Sequence, residues 1–154
     1  MDVDMALLRA ELTRDEARTR YLYDDKAGPG PFASGMTLRG KLTGGVGWNF
    51  SANGIPDPVI ELLLTIGIEN AAKACDHVVP GWTAQLDPVR QRAFVNMAFT
   101  MGVETLGGFK HFVAAFRAGD YALAGGHIED SDWWRGAARP RAERIKRMIE
   151  TGNV

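Results

Sequence analysis

From Gly28 to Gly47 the chain holds glycines at 28, 30, 35, 40, 44, 45 and 47 and prolines at 29 and 31. Glycine costs backbone entropy inside a helix and proline removes a hydrogen-bond donor, so this stretch admits only short strands and loops. On both sides of it apolar residues return at helical spacing. The chain therefore reads as α+β, a small sheet region set between helices.

Upstream, Met5, Leu8 and Leu12 recur after an Asp4 cap and predict a helix over 4–16 that runs out at Arg14-Asp15-Glu16. Inside the glycine-rich stretch, Met36-Thr37-Leu38 reads as a segment of a hairpin sheet, and Asn53-Gly54 as a turn. Asp57-Pro58 puts proline in a first helical turn and opens a long helix to about Cys75. Asp87-Pro88 opens another to Met101, apolar on most faces through Val89, Ala93, Phe94, Val95, Met97, Ala98 and Phe99, as a central helix would be. Helices over 109–117, 121–128 and 140–151 follow, with Asp120 as a cap and Gly152 as a stop. The expected organisation is a sheet lobe over about 17–57 and a helical lobe over about 58–154. The Pro58 helix joins them, and the helix over 4–16 is expected to pack on the helical lobe.

A chain of 154 residues, 45% of them hydrophobic, can bury most of the surface its unfolded form exposes, and nothing requires more than a monomer. The formal net charge of -1 argues against nucleic-acid binding, which needs a broad excess of cations against phosphate. The lone Cys75 excludes an intramolecular disulfide and, in its apolar surroundings, reads as a packed thiol rather than a nucleophile. Asp2, Asp4, Arg9 and Glu11 leave no apolar run for a signal peptide or a membrane span, so synthesis in the cytoplasm is expected. His77, His111 and His127 lack metal-ligand spacing, and no glycine run sits between strand and helix as a phosphate loop does. No cofactor is expected.

The chemistry centres on two carboxyls. Glu16 closes an apolar-periodic segment, and Asp25 follows nine positions later in turn-like sequence, before Lys41-Leu42-Thr43-Gly44-Gly45-Val46-Gly47. A glycosidase needs one carboxyl that holds a proton and another that stays ionised, and unlike environments produce that difference. An unperturbed glutamate titrates at about 4.3, so a general acid needs surroundings that disfavour its charge. A helix C-terminus and burial both act in that direction. Taken singly, each carboxyl has a blander reading as a solvated surface charge, and Asp24 rivals Asp25.

Five pieces in order carry a resemblance: Asp15-Glu16; Tyr23-Asp24-Asp25; Thr43 to Gly47; Asn96-Met97-Ala98-Phe99-Thr100-Met101-Gly102; and Trp134 with Arg141-Ala142-Glu143-Arg144. Together they resemble the phage-type lysozymes, glycoside hydrolase family 24, over nearly the whole chain. The resemblance implies a lysozyme-like fold with an active-site cleft between a sheet lobe and a helical lobe. It implies Glu16 as general acid, Asp25 as the water-activating carboxylate, Thr43 as the hydroxyl that orients that water, and Arg141 as the partner of the catalytic glutamate. The activity implied is inverting hydrolysis of the β-1,4 bond between N-acetylmuramic acid and N-acetylglucosamine in bacterial peptidoglycan. For inversion the carboxyls are expected about 6.5–9.5 Å apart.

The biology implied is that of an endolysin, made in the host cytoplasm and reaching the wall only after a holin permeabilises the membrane, with no stable insertion of its own. Residues 26–42 form an insertion relative to the family pattern, which makes Thr37 a rival to Thr43. Trp48 stands where the family often has a basic or histidine side chain. Trp48, Asn96, Thr100 and Trp134 are supporting candidates, although a packed tryptophan and a structural asparagine are the commoner findings. Six basic residues between Trp133 and Arg147 face only Glu143, a local positive surface for an anionic wall. Two rival functions remain: a lytic transglycosylase, which dispenses with the water-activating carboxylate, and a non-catalytic wall-binding module.

Overall fold

The structure is a computed structural model and describes residues 5–16, 18–27, 30–136 and 139–154. The Asp4 cap and the Gly28-Pro29 pair lie outside the described residues. The elements run α1 (Met5–Glu16), β1 (Thr19–Asp24), β2 (Leu42–Gly45), β3 (Trp48–Asn49), α2 (Phe50–Asn53), α3 (Asp57–Val78), α4 (Trp82–Gln85), α5 (Pro88–Gly108), α6 (Lys110–Arg117), α7 (Tyr121–Glu129), α8 (Asp132–Arg135) and α9 (Arg139–Thr151). This is a mixed fold, mostly helical, with one antiparallel sheet in the order β1-β2-β3. It divides into two compact units, Met1–Glu61 and Leu62–Val154.

In the first unit, β1 pairs with β2 through Thr19 with Gly45, Tyr23 with Thr43 and Asp24 with Leu42, the register slipping between Thr19 and Tyr23. β2 turns at Val46-Gly47 into β3, with Thr43 opposite Asn49 and Gly44 opposite Trp48. Met36-Thr37-Leu38 is not a strand, contrary to its apolar-polar alternation. Met36 and Leu38 are both exposed, and the amides just beyond them, of Arg39 and Gly40, donate to the Asp24 carboxylate rather than to a neighbouring strand.

The second unit holds the apolar core. α5 contributes Ala93, Phe94, Met97, Ala98 and Leu106. α6 adds Phe112, Ala115 and Phe116, and α9 adds Ala142, Ile145, Met148 and Ile149, both at the three- and four-residue spacing of one helix face. Phe94 and Phe112 flank Phe116 with ring centroids 4.9 and 5.2 Å away. Fully burying one such side chain contributes about 1.5–3 kcal/mol. Buried Cys75 belongs to the same cluster, and burial pushes its thiol up to about 12.

Local signals set most helix ends. Asp87 accepts from the amides of Val89 and Arg90, Asp120 accepts from Leu123, and Gly152 at φ 68° follows α9. α5 outlasts its expected end at Met101, yet its helical geometry breaks one residue later, where Gly102 takes φ 75°. α3 extends to Val78 rather than Cys75. The four-residue helices α2, α4 and α8 were not anticipated. Each is a single turn, too short to show a period, and α2 and α8 are nucleated by the Asn49 and Ser131 side-chain caps.

Candidate functional site

β2 organises the candidate residues of the first unit. At its start, the Asp25 amide donates to the Lys41 carbonyl at 3.2 Å, and the Lys41 amide donates back at 2.7 Å to Asp25 Oδ1. The β1-β2 ladder is thus closed by a side-chain oxygen, which fixes where that exposed carboxylate sits. The Thr43 hydroxyl, two residues on and buried, donates to the same Lys41 carbonyl at 3.3 Å. Asp25 and Thr43 therefore meet at one backbone unit.

Past the far end of β2 lies Glu16, the exposed last residue of α1. Gly47 in the β2-β3 turn has φ 66°, and a methyl built on it would stand 2.7 Å from Glu16 Oε2 and 3.2 Å from Cδ. The glutamate carboxyl rests directly on that glycine. A strand rises about 3.4 Å per residue, so Lys41, where Asp25 docks, is roughly 14 Å of backbone from Gly45. The two carboxyls are tied near opposite ends of β2, with Thr43 along the strand between them, and their tie points lie farther apart along the backbone than the carboxyl separation of about 6.5–9.5 Å expected for inversion.

Asp24 and Asp25 have opposite surroundings. Asp24 is 3% exposed, and its carboxylate accepts three backbone amides: Arg39 at 2.5 Å, Gly40 at 2.8 Å and Lys26 at 3.0 Å. The Arg39 amide holds it below the ordinary carboxylate range against an opposing push from burial, helped by the Lys26 and Gly40 amides and the Arg39 charge. These amides lie on both sides of the insertion, so Asp24 pins its outgoing and returning arms together. Both carboxylates crowd Gly40, where a methyl would collide with Asp25 and stand 2.8 Å from Asp24 Oδ1.

Thr37 is exposed and lines a cavity of about 380 Å³ with Asp24, Phe32, Met36 and Arg39, whereas Thr43 is buried and bonded to the Lys41 carbonyl. Trp48 donates its indole N–H to the Gly54 carbonyl at 2.9 Å and keeps 40% of its surface exposed. It anchors the turn that follows α2 while showing part of its ring to solvent.

In the second unit, three supporting candidates form a chain of contacts. Arg141 donates to the Thr100 hydroxyl at 2.8 Å, and Thr100 donates to the Asn96 carbonyl at 3.0 Å. Arg141 and Asn96 also line a cavity of about 430 Å³ with Trp82, Gln91 and Phe99. The Asn96 Oδ1 atom is buried and unpartnered among the described residues. Trp134 instead packs against the core, with the Arg139 guanidinium 5.4 Å from its ring centroid.

The expected positive surface between Trp133 and Arg147 is partly neutralised. Arg135 pairs with Asp132, Arg139 with Glu143, and Lys146 with Glu150 and Glu129. Arg141, Arg144 and Arg147 remain outside these pairs. The histidines expected to be scattered are partly gathered, His111 and His127 lying 5.5 Å apart between ring centroids on α6 and α7. Among the described residues, no group of three or more histidine, cysteine or acidic side chains could hold a metal ion.

Sequence reasoning missed the role of Arg90. Its guanidinium donates to the carbonyls of Ile149 at 2.7 Å and Glu150 at 3.1 Å, closing the C-terminus of α9. It also pairs with Asp87 at 2.5 Å and lies 3.9 Å from the centroid of the Tyr121 ring. Burial raises the Asp87 carboxyl, but the Arg90 amide and guanidinium together with the Val89 amide outweigh it and leave the group below its ordinary value.

No protein-family model matches this chain. Over 82 residues, 53% of its length, the chain is 38% identical to the pre-baseplate central spike protein Gp5 of Enterobacteria phage T4. It spans only 14% of that protein. The similarity ties part of the chain to a phage protein.

Proposed function

We propose that this chain is a peptidoglycan-cleaving glycoside hydrolase, a muramidase acting on the β-1,4 bond between N-acetylmuramic acid and N-acetylglucosamine with inversion. The observation that carries the reading is the attachment of two carboxyls near the two ends of β2, Glu16 on Gly47 and Asp25 on Lys41, with Thr43 between. The similarity to a phage protein and the ordered motif from Glu16 to Arg141 lend it support.

In this mechanism Glu16 gives its proton to the glycosidic oxygen as the bond from that oxygen to C1 breaks. A water attacks C1 from the opposite face, and Asp25 takes the proton that the water loses. Thr43 holds that water. Its hydroxyl donates to the Lys41 carbonyl in the free protein, so its lone pairs can accept from the attacking water. Asp24 is spent on three backbone amides and is left out of the chemistry. Arg141, Trp48, Asn96, Thr100 and Trp134 are kept as substrate-binding or supporting residues. Acting as an endolysin, the enzyme works as a monomer on the wall after a holin opens the membrane.

Release of reducing sugar from purified peptidoglycan tests the assignment. Glu16→Gln and Asp25→Asn are each expected to lose at least about a hundredfold in rate, the scale of acid-base catalysis. Asp24→Glu, assayed in protein shown to be folded, keeps far more activity than Asp25→Asn. Undiminished turnover by Glu16→Gln sinks the proposal.

A further inference from the structure

Residues 26–42 hold three cations, Lys26, Arg39 and Lys41, and no acidic side chain, within a protein whose net charge is -1. The three are gathered at Gly40: Arg39 and Lys41 flank it in sequence, and a methyl built on it would lie 2.8 Å from Lys26 Cγ. All three are exposed, and among the described residues none is in an ion pair. Two carboxylates adjoin the cluster, Asp25 and Asp24, the latter also lining the neighbouring cavity; both accept from backbone amides, and the three cations outnumber them. Beside the cluster is the cavity of about 380 Å³, with Phe32, Met36 and Pro31 as apolar lining and Arg39 at its edge.

We infer that the insertion is a subsite for the carboxylate-bearing peptide stem of the glycan, Lys26 and Arg39 pairing with the stem carboxylates while Phe32 and Met36 receive its alanyl methyls. This deepens the muramidase reading and rests on it: the cluster adjoins Asp25 through Gly40 and Lys41, so a sugar seated over Asp25 carries its substituents towards the insertion. The Asp24 tie positions the subsite. Since it uses the backbone amides of Lys26 and Arg39, their side chains can be changed without cutting it.

Calorimetric titration of the full chain with N-acetylglucosaminyl-N-acetylmuramic acid carrying a tetrapeptide, and with the same disaccharide lacking it, tests this independently of turnover, because neither ligand contains the scissile bond. Wild type is expected to prefer the peptide-bearing ligand by about tenfold, the sum of two partly exposed charged contacts. Lys26→Gln with Arg39→Gln removes that preference and leaves the affinity for the bare disaccharide unchanged. Arg39→Lys retains most of it, and circular dichroism establishes that each variant is folded. Equal affinity of wild type for the two ligands, a preference untouched by the double substitution, or displacement of the muropeptide by a polyglycerol phosphate polymer overturns the inference. An intact preference in a protein that fails to cleave peptidoglycan strikes the hydrolase reading and leaves the subsite standing.

Discussion

The two units are held together by different forces. Every buried large apolar side chain among the described residues lies between Ala71 and Ile149, whereas the buried residues of the first unit are Asp24, Thr43 and Gly44. The second unit is a conventional core of interlocking helices. The first is a short sheet and a loop closed by amide-to-carboxylate bonds, with apolar side chains such as Tyr21, Leu22 and Val46 exposed. Segments of low apolar burial open most readily, and binding loops are drawn from them. The candidate chemistry sits where geometry depends on a handful of polar contacts.

The contrast breaks first in the core. Phe94→Ala removes a fully buried ring and is expected to cost about 3–5 kcal/mol, seen as a large fall in melting temperature. Next comes Arg90→Met, which strands the Ile149 and Glu150 carbonyls and removes the ion pair to Asp87; urea titration is expected to show a loss of about 2–3 kcal/mol. If either substitution destabilises by under 0.5 kcal/mol, the description of the second unit is wrong.

The first unit is probed by Gly47→Ala. An alanine at φ 66° costs about 1–2 kcal/mol of backbone strain and pushes the Glu16 carboxyl aside, so wall hydrolysis is expected to fall far more than the melting temperature. Asp24→Asn sharpens the comparison further. Hydrogen exchange is expected to accelerate at the amides of Lys26, Arg39 and Gly40 while those of α5 and α9 keep their protection. Equal acceleration in both units would show that they do not hold themselves together separately.

The smallest effect is that of acid. Asp24 and Asp87 both have folded-state values below their unfolded ones, so their contribution is complete above the ordinary aspartate value of about 3.9 and is lost as the pH falls below it. Melting temperature is expected to drop below about pH 4, less steeply in Asp24→Asn than in wild type.

Much of this was legible because it is local. Asp87, Asp120 and Gly152 fix helix ends through neighbours within a few positions, and the apolar spacing of 93–98 marks a central helix whatever surrounds it. The β2-β3 turn is likewise written in its glycines. Met36-Thr37-Leu38 misled because alternation says nothing about who claims the neighbouring amides. That was decided by Asp24, fifteen residues from Arg39 in sequence. Arg90 was invisible for the same reason, its acceptors lying 59 and 60 positions away. The meeting of Asp25 and Thr43 at Lys41 needed the register of two strands, which the length of the insertion conceals.

The proposed muramidase reaction needs Glu16, seated against the β2-β3 turn, and Asp25, bonded to Lys41 just before β2, to act on opposite sides of one sugar bond through a water. Mass spectrometry of wall fragments produced in oxygen-18 water tests it most directly. The account predicts reducing muramic acid ends carrying one heavy oxygen, whereas 1,6-anhydromuramic ends without the label would contradict it.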